Sequence, residues 1–120
     1  MDFFDKTVII DGDDIRALYE NTDYSIEGRR ANVAFVQKLC SFLIKNDITV
    51  VVCMVSPFAD QREQMKKQFN CTEIYIHCDE IRGRENYHVD YYEKPTGEHI
   101  SINTTGKTVT ESTPELWKKL

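Results

Sequence analysis

Two runs of β-branched residues constrain the fold of this 120-residue chain more than any other feature. Residues 48–55, ITVVVCMV, are almost continuously apolar, and residues 7–10, TVII, form a shorter run of the same kind. A strand without alternation of polar and apolar residues is typical of a parallel sheet that is buried on both faces. We therefore predict two buried parallel strands here, and further short strands at 73–77 and 99–102.

Helical patterns separate these strands. A short helix is predicted after the first strand, with Asp13 or Asp14 as its N-cap. A long helix is predicted over about residues 27–46, and Phe35, Leu39 and Phe42 widen its apolar face, so we expect the helix to be well buried. That face is formed by Val33, Val36, Cys40 and Leu43. A polar helix at 60–68 and a C-terminal helix that begins after Thr108 or after Thr113 complete the pattern. The alternation predicts an α/β fold with a parallel sheet.

Composition narrows the functional classes. Fifteen Lys and Arg against twenty Asp and Glu give a net charge of −5, which argues against non-specific binding to nucleic acid. No apolar run approaches the ~18 residues of a membrane span, and the first residues lack the pattern of a secretory signal. We expect a single cytoplasmic domain over residues 1–120, with neither nucleic acid nor membrane as a partner.

The four cysteines and three histidines match no metal or disulfide framework. The cysteines form no CxxC pair, and the histidines are scattered. We therefore expect buried or half-buried reduced thiols and no bound transition metal. The cysteines are Cys40, Cys53, Cys71 and Cys78.

Polar side chains follow the two main strands, where parallel sheets bind ligands. Asp11, Asp13, Asp14 and Arg16 come directly after the first strand, and Ser56 follows the second. Acids beside an arginine can hold Mg²⁺, take a proton from a hydroxyl or, through the arginine, grip a phosphate. The same residues also suit a tight turn with no further role.

Two pairs of arginines can each be interpreted either as a site for an anionic ligand or as ordinary surface charge. Arg29 and Arg30 lie near the start of the long helix, where the helix dipole favours anions over cations. They serve either an anionic ligand or surface ion pairs. Arg82 and Arg84 belong to residues 79–98, a charged, aromatic segment that we interpret as a lid-like loop. They either close over phosphates or form a solvated charge run.

Aromatic residues and one lysine motif remain. Tyr24 and Tyr87 can stack on a nucleobase, although loop aromatics are also used for packing. The triplet Gly106-Lys107-Thr108 has the ending of a phosphate-binding P-loop, but Ser101 stands where the first glycine of that motif belongs. The triplet is therefore not a P-loop.

Five motifs in order resemble those of the adenylylsulfate (APS) kinase family. They are DGDDIR at 11–16, YS at 24–25 followed by RxxNV at 29–33, VSPF at 55–58 with Arg62, YEKP at 92–95, and NTTGK at 103–107. The resemblance covers nearly the whole chain. It implies a three-layer α/β sandwich of the P-loop kinase type, here without the family's first strand and P-loop.

The resemblance implies a phosphotransferase of sulfate assimilation. Such an enzyme moves the γ-phosphoryl group of ATP to the 3′-hydroxyl of APS and forms PAPS. By position, Asp13 would be the acid that positions or deprotonates the hydroxyl and lies near Mg²⁺. Arg82 and Arg84 would belong to the lid over ATP.

The resemblance also implies an APS site. Arg16, Arg29 and Asn32 would hold the phosphosulfate and ribose. Tyr24 would stack on the adenine, where the family has Phe. The pocket would be completed by Ser56, Pro57 and Tyr87.

The chain departs from the family pattern in three respects. The lid is shorter, Gly28 stands where the family has Asp, and the residues before Asp11 do not contain the family's first strand and P-loop. Three explanations stay open: the sequence is a fragment, another chain or a swapped homo-oligomer supplies the P-loop, or this is a relative that binds nucleotide without catalysis.

A second enzyme class also fits part of the sequence. Haloacid-dehalogenase-type phosphatases begin with a strand followed by DxD, and they need no P-loop. The roles would be Asp11 as nucleophile, Asp13 as acid and base, Ser56 and Lys66 or Lys67 on the phosphate, and Asp79 on Mg²⁺.

Overall fold

The computed structural model describes residues 6–78 and 91–120. Within them the chain forms four strands and four helices. In order these are β1 (Thr7–Asp11), α1 (Gly12–Leu18), α2 (Ile26–Lys45), β2 (Thr49–Cys53), α3 (Ala59–Phe69), β3 (Ile74–His77), β4 (Ile100–Asn103) and α4 (Val109–Lys119). The predictions for Asp79, Arg82, Arg84 and Tyr87 fall outside the described residues.

The described strands form two parallel pairs. β1 pairs with β2, from Thr7 opposite Thr49 to Asp11 opposite Cys53. β3 pairs with β4, from Ile74 opposite Ile100 to His77 opposite Asn103. Parallel neighbours need a long crossover connection, and α2 supplies it between β1 and β2. The predicted α/β class with parallel strands is confirmed.

The chain divides into two compact units, residues 1–61 and residues 62–120. The first contains the β1–β2 pair with α1 and α2, and the second contains the β3–β4 pair with α4. The single domain over 1–120 stays a prediction.

Side-chain caps set where the helices begin. The Ser25 hydroxyl accepts from the Gly28 N–H and starts α2. Thr108 and Glu111 form a reciprocal capping box at α4, which decides between the two predicted starts of that helix. The N-cap of α1 is Asp11, not Asp13 or Asp14 as predicted. The helix follows the strand with no intervening turn, so the last strand residue becomes the cap.

The core of the first unit lies between its helices and one face of its strand pair. The buried apolar side chains there are Ile10, Ile15, Val33, Val36, Cys40 and Phe58. On the other face Ile9 is 70% exposed, and its partner across the pair, Val51, is also exposed. The expected burial of both faces is therefore wrong for these strands. Phe42 is also exposed, because it lies outside the stripe of α2 that packs on the core.

Two further expectations were tested within the described residues. All four cysteines are free, but Cys53 and Cys71 are exposed, so the expected burial is wrong for these two. Across residues 6–78 and 91–120, no helix has the length and apolar character needed to cross a membrane.

Candidate functional site

Two aspartates, Asp11 and Asp13, lie where β1 passes into α1, and they have different roles. Asp11 Oδ1 accepts from the Asp13 N–H at 2.8 Å, so Asp11 caps the helix. A Cβ on Gly12 would lie 2.9 Å from Met54 Cβ, which makes glycine necessary where the chain after β2 passes close. The Asp13 side chain is exposed in the first turn of α1. Asp11 and Asp14 are exposed as well, but Asp11 is used as the cap, so Asp13 and Asp14 are the carboxylates left at the carboxyl end of β1.

Arg16 fixes the loop that follows α1. Its side chain is buried, with the residue 8% exposed. Its Nη1 donates to the carbonyl oxygens of Asp23 at 2.9 Å and Asn21 at 3.3 Å. Its guanidinium carbon lies 4.1 Å from the centroid of the Tyr24 ring. Arg16 therefore positions Tyr24 both through the loop backbone and through a cation–π contact.

The loop from Asn21 to Ser25 is held by its own side chains. Asn21 Oδ1 accepts from the Asp23 N–H, and Asp23 Oδ1 accepts from the Ser25 N–H, each at 2.9 Å. Hydrogen bonds from the Ser25 hydroxyl and backbone, and to a smaller extent the charge of Arg16, lower the pKa of Asp23. Asp23 is thus held as a carboxylate beside Tyr24.

The same loop explains why residue 28 is glycine. A Cβ on Gly28 would lie 2.1 Å from the Asp23 carbonyl oxygen and 2.5 Å from Asp23 Cγ. No side chain fits there without moving the backbone. The family has Asp at position 28, where this chain has Gly28. In this chain the carboxyl group of Asp23 lies close to where a side chain on residue 28 would begin.

Arg29 brings a second positive charge to Tyr24. Its Nε donates to the Tyr24 carbonyl oxygen at 3.1 Å, and its guanidinium carbon lies 5.5 Å from the ring centroid. Within the described residues neither Arg16 nor Arg29 forms an ion pair with a carboxylate. Tyr24 itself is 50% exposed. We call Arg16, Tyr24 and Arg29 the Tyr24 cluster.

Arg30, the next residue, has a different environment. Its two terminal nitrogens donate to the two carboxylate oxygens of Asp60, at 2.9 and 3.2 Å. Its guanidinium carbon lies 4.1 Å from the centroid of Phe58. The hydrogen bond from Arg30 lowers the pKa of Asp60. The two interpretations therefore apply to different residues of the pair. Arg30 forms a surface ion pair, and Arg29 stays a candidate for binding an anionic ligand.

Asn32 connects α2 to the start of α1. It is 3% exposed. Its Nδ2 donates to the Gly12 carbonyl oxygen at 3.4 Å, and its Oδ1 accepts from the Tyr19 hydroxyl at 3.1 Å. The Tyr19 ring stacks on Phe35 with centroids 4.6 Å apart. The sequence analysis did not identify Tyr19 as a site residue, because no motif contains it. The contact shows that Asn32 supports the backbone next to Asp13.

Ser56 and Pro57 lie between two contacts that tie this segment to the site. Met54 packs against Gly12, and Phe58 packs against Arg30. Ser56 has a φ of 41°, a left-handed backbone conformation that is unusual for a residue other than glycine. The structure thus places Asp13, Arg16, Tyr24, Arg29 and Asn32 in one connected region, with residues 54–58 packed against it.

Comparisons with known proteins identify the family of this chain. Residues 3–115 match the family described as Adenylylsulphate kinase. An adenylyl-sulfate kinase of Rippkaea orientalis is 26% identical over 93% of this chain and 73% of its own length. One from Thermodesulfovibrio yellowstonii is 32% identical, over 61% of this chain and 38% of its own length. Neither relative defines the role of a residue here.

A solved structure supports the fold. A mutant of the Mycobacterium tuberculosis APS kinase CysC aligns over 94% of this chain and 74% of its own, with a TM-score of 0.66 and 17% identity. At that identity the likeness concerns the fold alone, and it confirms the predicted P-loop kinase type of α/β fold. Together with the match over residues 3–115, it leads to one conclusion: this chain belongs to the adenylylsulfate kinase family.

Proposed function

We propose that this chain binds APS as the phosphoryl acceptor of an ATP-dependent kinase. One observation carries the proposal: Arg16 and Arg29 lie against a half-exposed Tyr24 without a carboxylate partner in the described residues. Two guanidinium groups attract the phosphosulfate of APS, and a tyrosine ring offers a stacking surface for its adenine. Family membership supports the same ligand.

Asp13 is the proposed acid for the acceptor hydroxyl. Its carboxylate is exposed at the carboxyl end of β1, one helical turn before Arg16. In the proposed reaction it accepts a hydrogen bond from the 3′-hydroxyl and takes its proton as the phosphoryl group arrives. Asn32 keeps the adjacent Gly12 backbone in place through its 3.4 Å hydrogen bond. Positioning of this kind is most of what a phosphoryl-transfer enzyme contributes.

The family implies ATP as donor and Mg²⁺ as its companion ion. Mg²⁺ in such sites uses one or two carboxylates and completes its coordination with phosphate oxygens and water. In the described residues no three His, Cys, Asp or Glu side chains gather into a metal site. The exposed Asp13 fits the requirement for a single protein carboxylate. When bound, the ion would neutralise charge on the transferred phosphoryl group.

The 120 residues contain no complete P-loop motif. The acceptor site and the ATP cradle are therefore tested separately. The phosphatase alternative is not favoured, because the chain belongs to the APS kinase family and Asp11, its required nucleophile, is used as the cap of α1. Binding without transfer remains a possible outcome of the second experiment.

The first experiment is calorimetric titration with APS and, in parallel, AMP. We expect APS to bind at least about tenfold more tightly, since a charge-assisted hydrogen bond contributes about 1.5–3 kcal/mol. Arg29→Ala should remove most of that difference. Arg30→Ala is the matched control, because its guanidinium is already paired with Asp60. Equal affinities for APS and AMP, or equal losses in the two variants, would contradict the proposed site.

The second experiment tests catalysis. With ATP, Mg²⁺ and a protein or segment that carries a P-loop, formation of 3′-phosphorylated APS is followed by chromatography. We expect Asp13→Asn to reduce transfer by about 10²-fold or more, the usual contribution of a general base, with APS affinity nearly unchanged. Asp14→Asn is the control in the same helical turn. APS binding with no transfer in the unaltered chain would identify a non-catalytic relative.

A further inference from the structure

A buried carboxylate in the second unit holds two cations of α3. Glu73 Oε2 lies 2.8 Å from Arg62 Nε, and Glu73 Oε1 lies 2.8 Å from Lys66 Nζ. The Glu73 and Arg62 side chains are each 10% exposed. Arg62 and Lys66 are one helical turn apart, so one carboxylate can reach both. We call Arg62, Lys66 and Glu73 the Glu73 cluster.

Each cation of the cluster also donates a hydrogen bond to a backbone carbonyl oxygen in residues 91–98. Arg62 Nη2 donates to the Glu93 carbonyl oxygen. Lys66 Nζ donates to the Glu98 carbonyl oxygen at 3.1 Å. The two contacts are five residues apart in the chain and attach both ends of this stretch to α3.

Ring and backbone contacts support the same attachment. The guanidinium carbon of Arg62 lies 5.1 Å from the centroid of Tyr92, whose ring stacks on Tyr75 of β3 at 5.9 Å. A Cβ on Gly97 would lie 3.1 Å from Glu63 Oε1 and 3.4 Å from Lys66 Nζ. The backbone of residues 92–98 therefore runs close along α3.

We infer that Glu73 is a positioning residue that fixes residues 91–98 on α3 through Arg62 and Lys66. Without its carboxylate the two cations lose their common anchor, and Lys66 keeps its ion pair with the more exposed Glu63. The hold of Arg62 and Lys66 on the Glu93 and Glu98 carbonyl oxygens then weakens. Residues 92–95 are the YEKP motif of the sequence analysis, so Glu73 holds one of the five family motifs on α3.

The test is hydrogen–deuterium exchange in the full chain. Glu73→Gln keeps the shape of the side chain and removes its charge. We expect the amides in residues 91–98 that are protected in the unaltered chain to exchange about tenfold faster, equivalent to about 1.4 kcal/mol of local protection. The amides of β4 should change much less. The control is Glu115→Gln, because Glu115 also bridges two lysines, Lys107 and Lys119, but on the surface of α4.

Two further variants distinguish the contact of Arg62 with Glu93 from the contact of Lys66 with Glu98. Of the two carbonyl contacts, Lys66→Met removes the one to Glu98, together with the ion pairs of Lys66 with Glu63 and Glu73, and leaves Arg62 in place. Exchange should therefore rise more near residues 96–98 than near Glu93. A double variant, Glu73→Gln with Arg62→Met, should exchange near Glu93 no faster than Arg62→Met alone, because Glu73 acts there through Arg62. These comparisons also decide the question if Glu73→Gln lowers overall stability.

Three results keep the two proposals separate. Unchanged exchange in residues 91–98 of Glu73→Gln would overturn the positioning role. A uniform rise over the whole second unit would also overturn it, since that would show a general loss of stability. Absence of APS binding by the unaltered chain would instead contradict the proposed function and leave the exchange result standing. APS affinity should stay within about twofold in Glu73→Gln, because the Tyr24 cluster makes no use of Glu73.

Discussion

The positively charged side chains of the Tyr24 cluster and of the Glu73 cluster contact different kinds of group. In the second, Arg62 and Lys66 share one buried carboxylate. In the first, Arg16 and Arg29 contact carbonyl oxygens and an aromatic ring, and in the described part of the chain they have no carboxylate partner. Both clusters use arginine stacked on tyrosine, so the stacking alone does not distinguish them.

The difference concerns which positive charges stay available to a ligand. A guanidinium paired with a buried carboxylate has little charge left for a ligand, and removing one partner leaves the other buried without it. A guanidinium held by carbonyl oxygens and an aromatic ring keeps its charge available to an anion. Arg30, paired with Asp60 only one residue after Arg29, shows that carboxylates are within reach of this helix. The open charge at Arg29 is therefore a local property of the site.

The largest expected effect is the loss of Arg62. Arg62→Ala leaves Glu73 buried without its arginine, and breaking a buried pair costs about 3–5 kcal/mol of unfolding free energy. Arg30→Ala removes an exposed pair with Asp60 and should cost at most about 1 kcal/mol. Urea denaturation of both variants measures the difference. Similar losses would show that the two pairs do not differ in the way their burial indicates.

A smaller loss is expected at Gly28. Gly28→Ala places a methyl group about where the Asp23 carbonyl oxygen lies, so the loop that carries Tyr24 must shift, at a cost of about 1–3 kcal/mol. APS affinity should fall in the same variant. Gly97→Ala is the control, because the nearest atoms there are the flexible ends of Glu63 and Lys66. If Gly28→Ala keeps both stability and affinity, the close approach of Asp23 is unimportant.

The smallest expected effects are at the extremes of pH, and the two regions should weaken at opposite ends. The folded-state pKa of Asp23 is lowered by its hydrogen bonds from Ser25, so its contribution is present above the ordinary carboxyl pKa of about 4 and is lost as the pH falls through the folded value. Burial lowers the pKa of Lys66, but the hydrogen bonds that its ammonium group donates to Glu63 and Glu73 outweigh burial and raise the pKa. Its contribution is present below the ordinary lysine value and is lost as the pH rises through the folded value.

Unfolding curves collected across the pH range check this contrast. Asp23→Asn should flatten the acid side of the stability profile, and Lys66→Met should flatten the alkaline side. If either variant changed the opposite side instead, the assigned direction of that pKa shift would be wrong.

Much of the fold follows from local sequence patterns. The β-branched runs, the helical spacing from Val33 to Leu43 and the capping box at Thr108 each depend on residues close together in the chain, and each element lies within a few residues of its prediction. The burial of the strands was not predictable in this way. Ile9 and Val51 are apolar, but whether another element covers them depends on tertiary packing that the run itself does not encode.

The sequence predicted which residues belong to the candidate site, but it did not predict which groups they contact. Arg29 and Arg30 are identical residue types at adjacent positions, and their different roles depend on Asp60, thirty residues further along. Asn32 was assigned to substrate through the family resemblance, yet its contacts here are to Gly12 and Tyr19. The contact role of each predicted ligand residue stays a prediction until the binding experiments are done.

The exposed apolar face of the β1–β2 pair has a practical consequence. Residues 48–55 combine high β-propensity with an absence of charge, which is the composition of segments that assemble between chains when they are uncovered. Ile9 and Val51 extend that property onto the surface of the folded protein. We therefore expect the residues that identify the fold to be those through which copies of this chain associate when its concentration is raised.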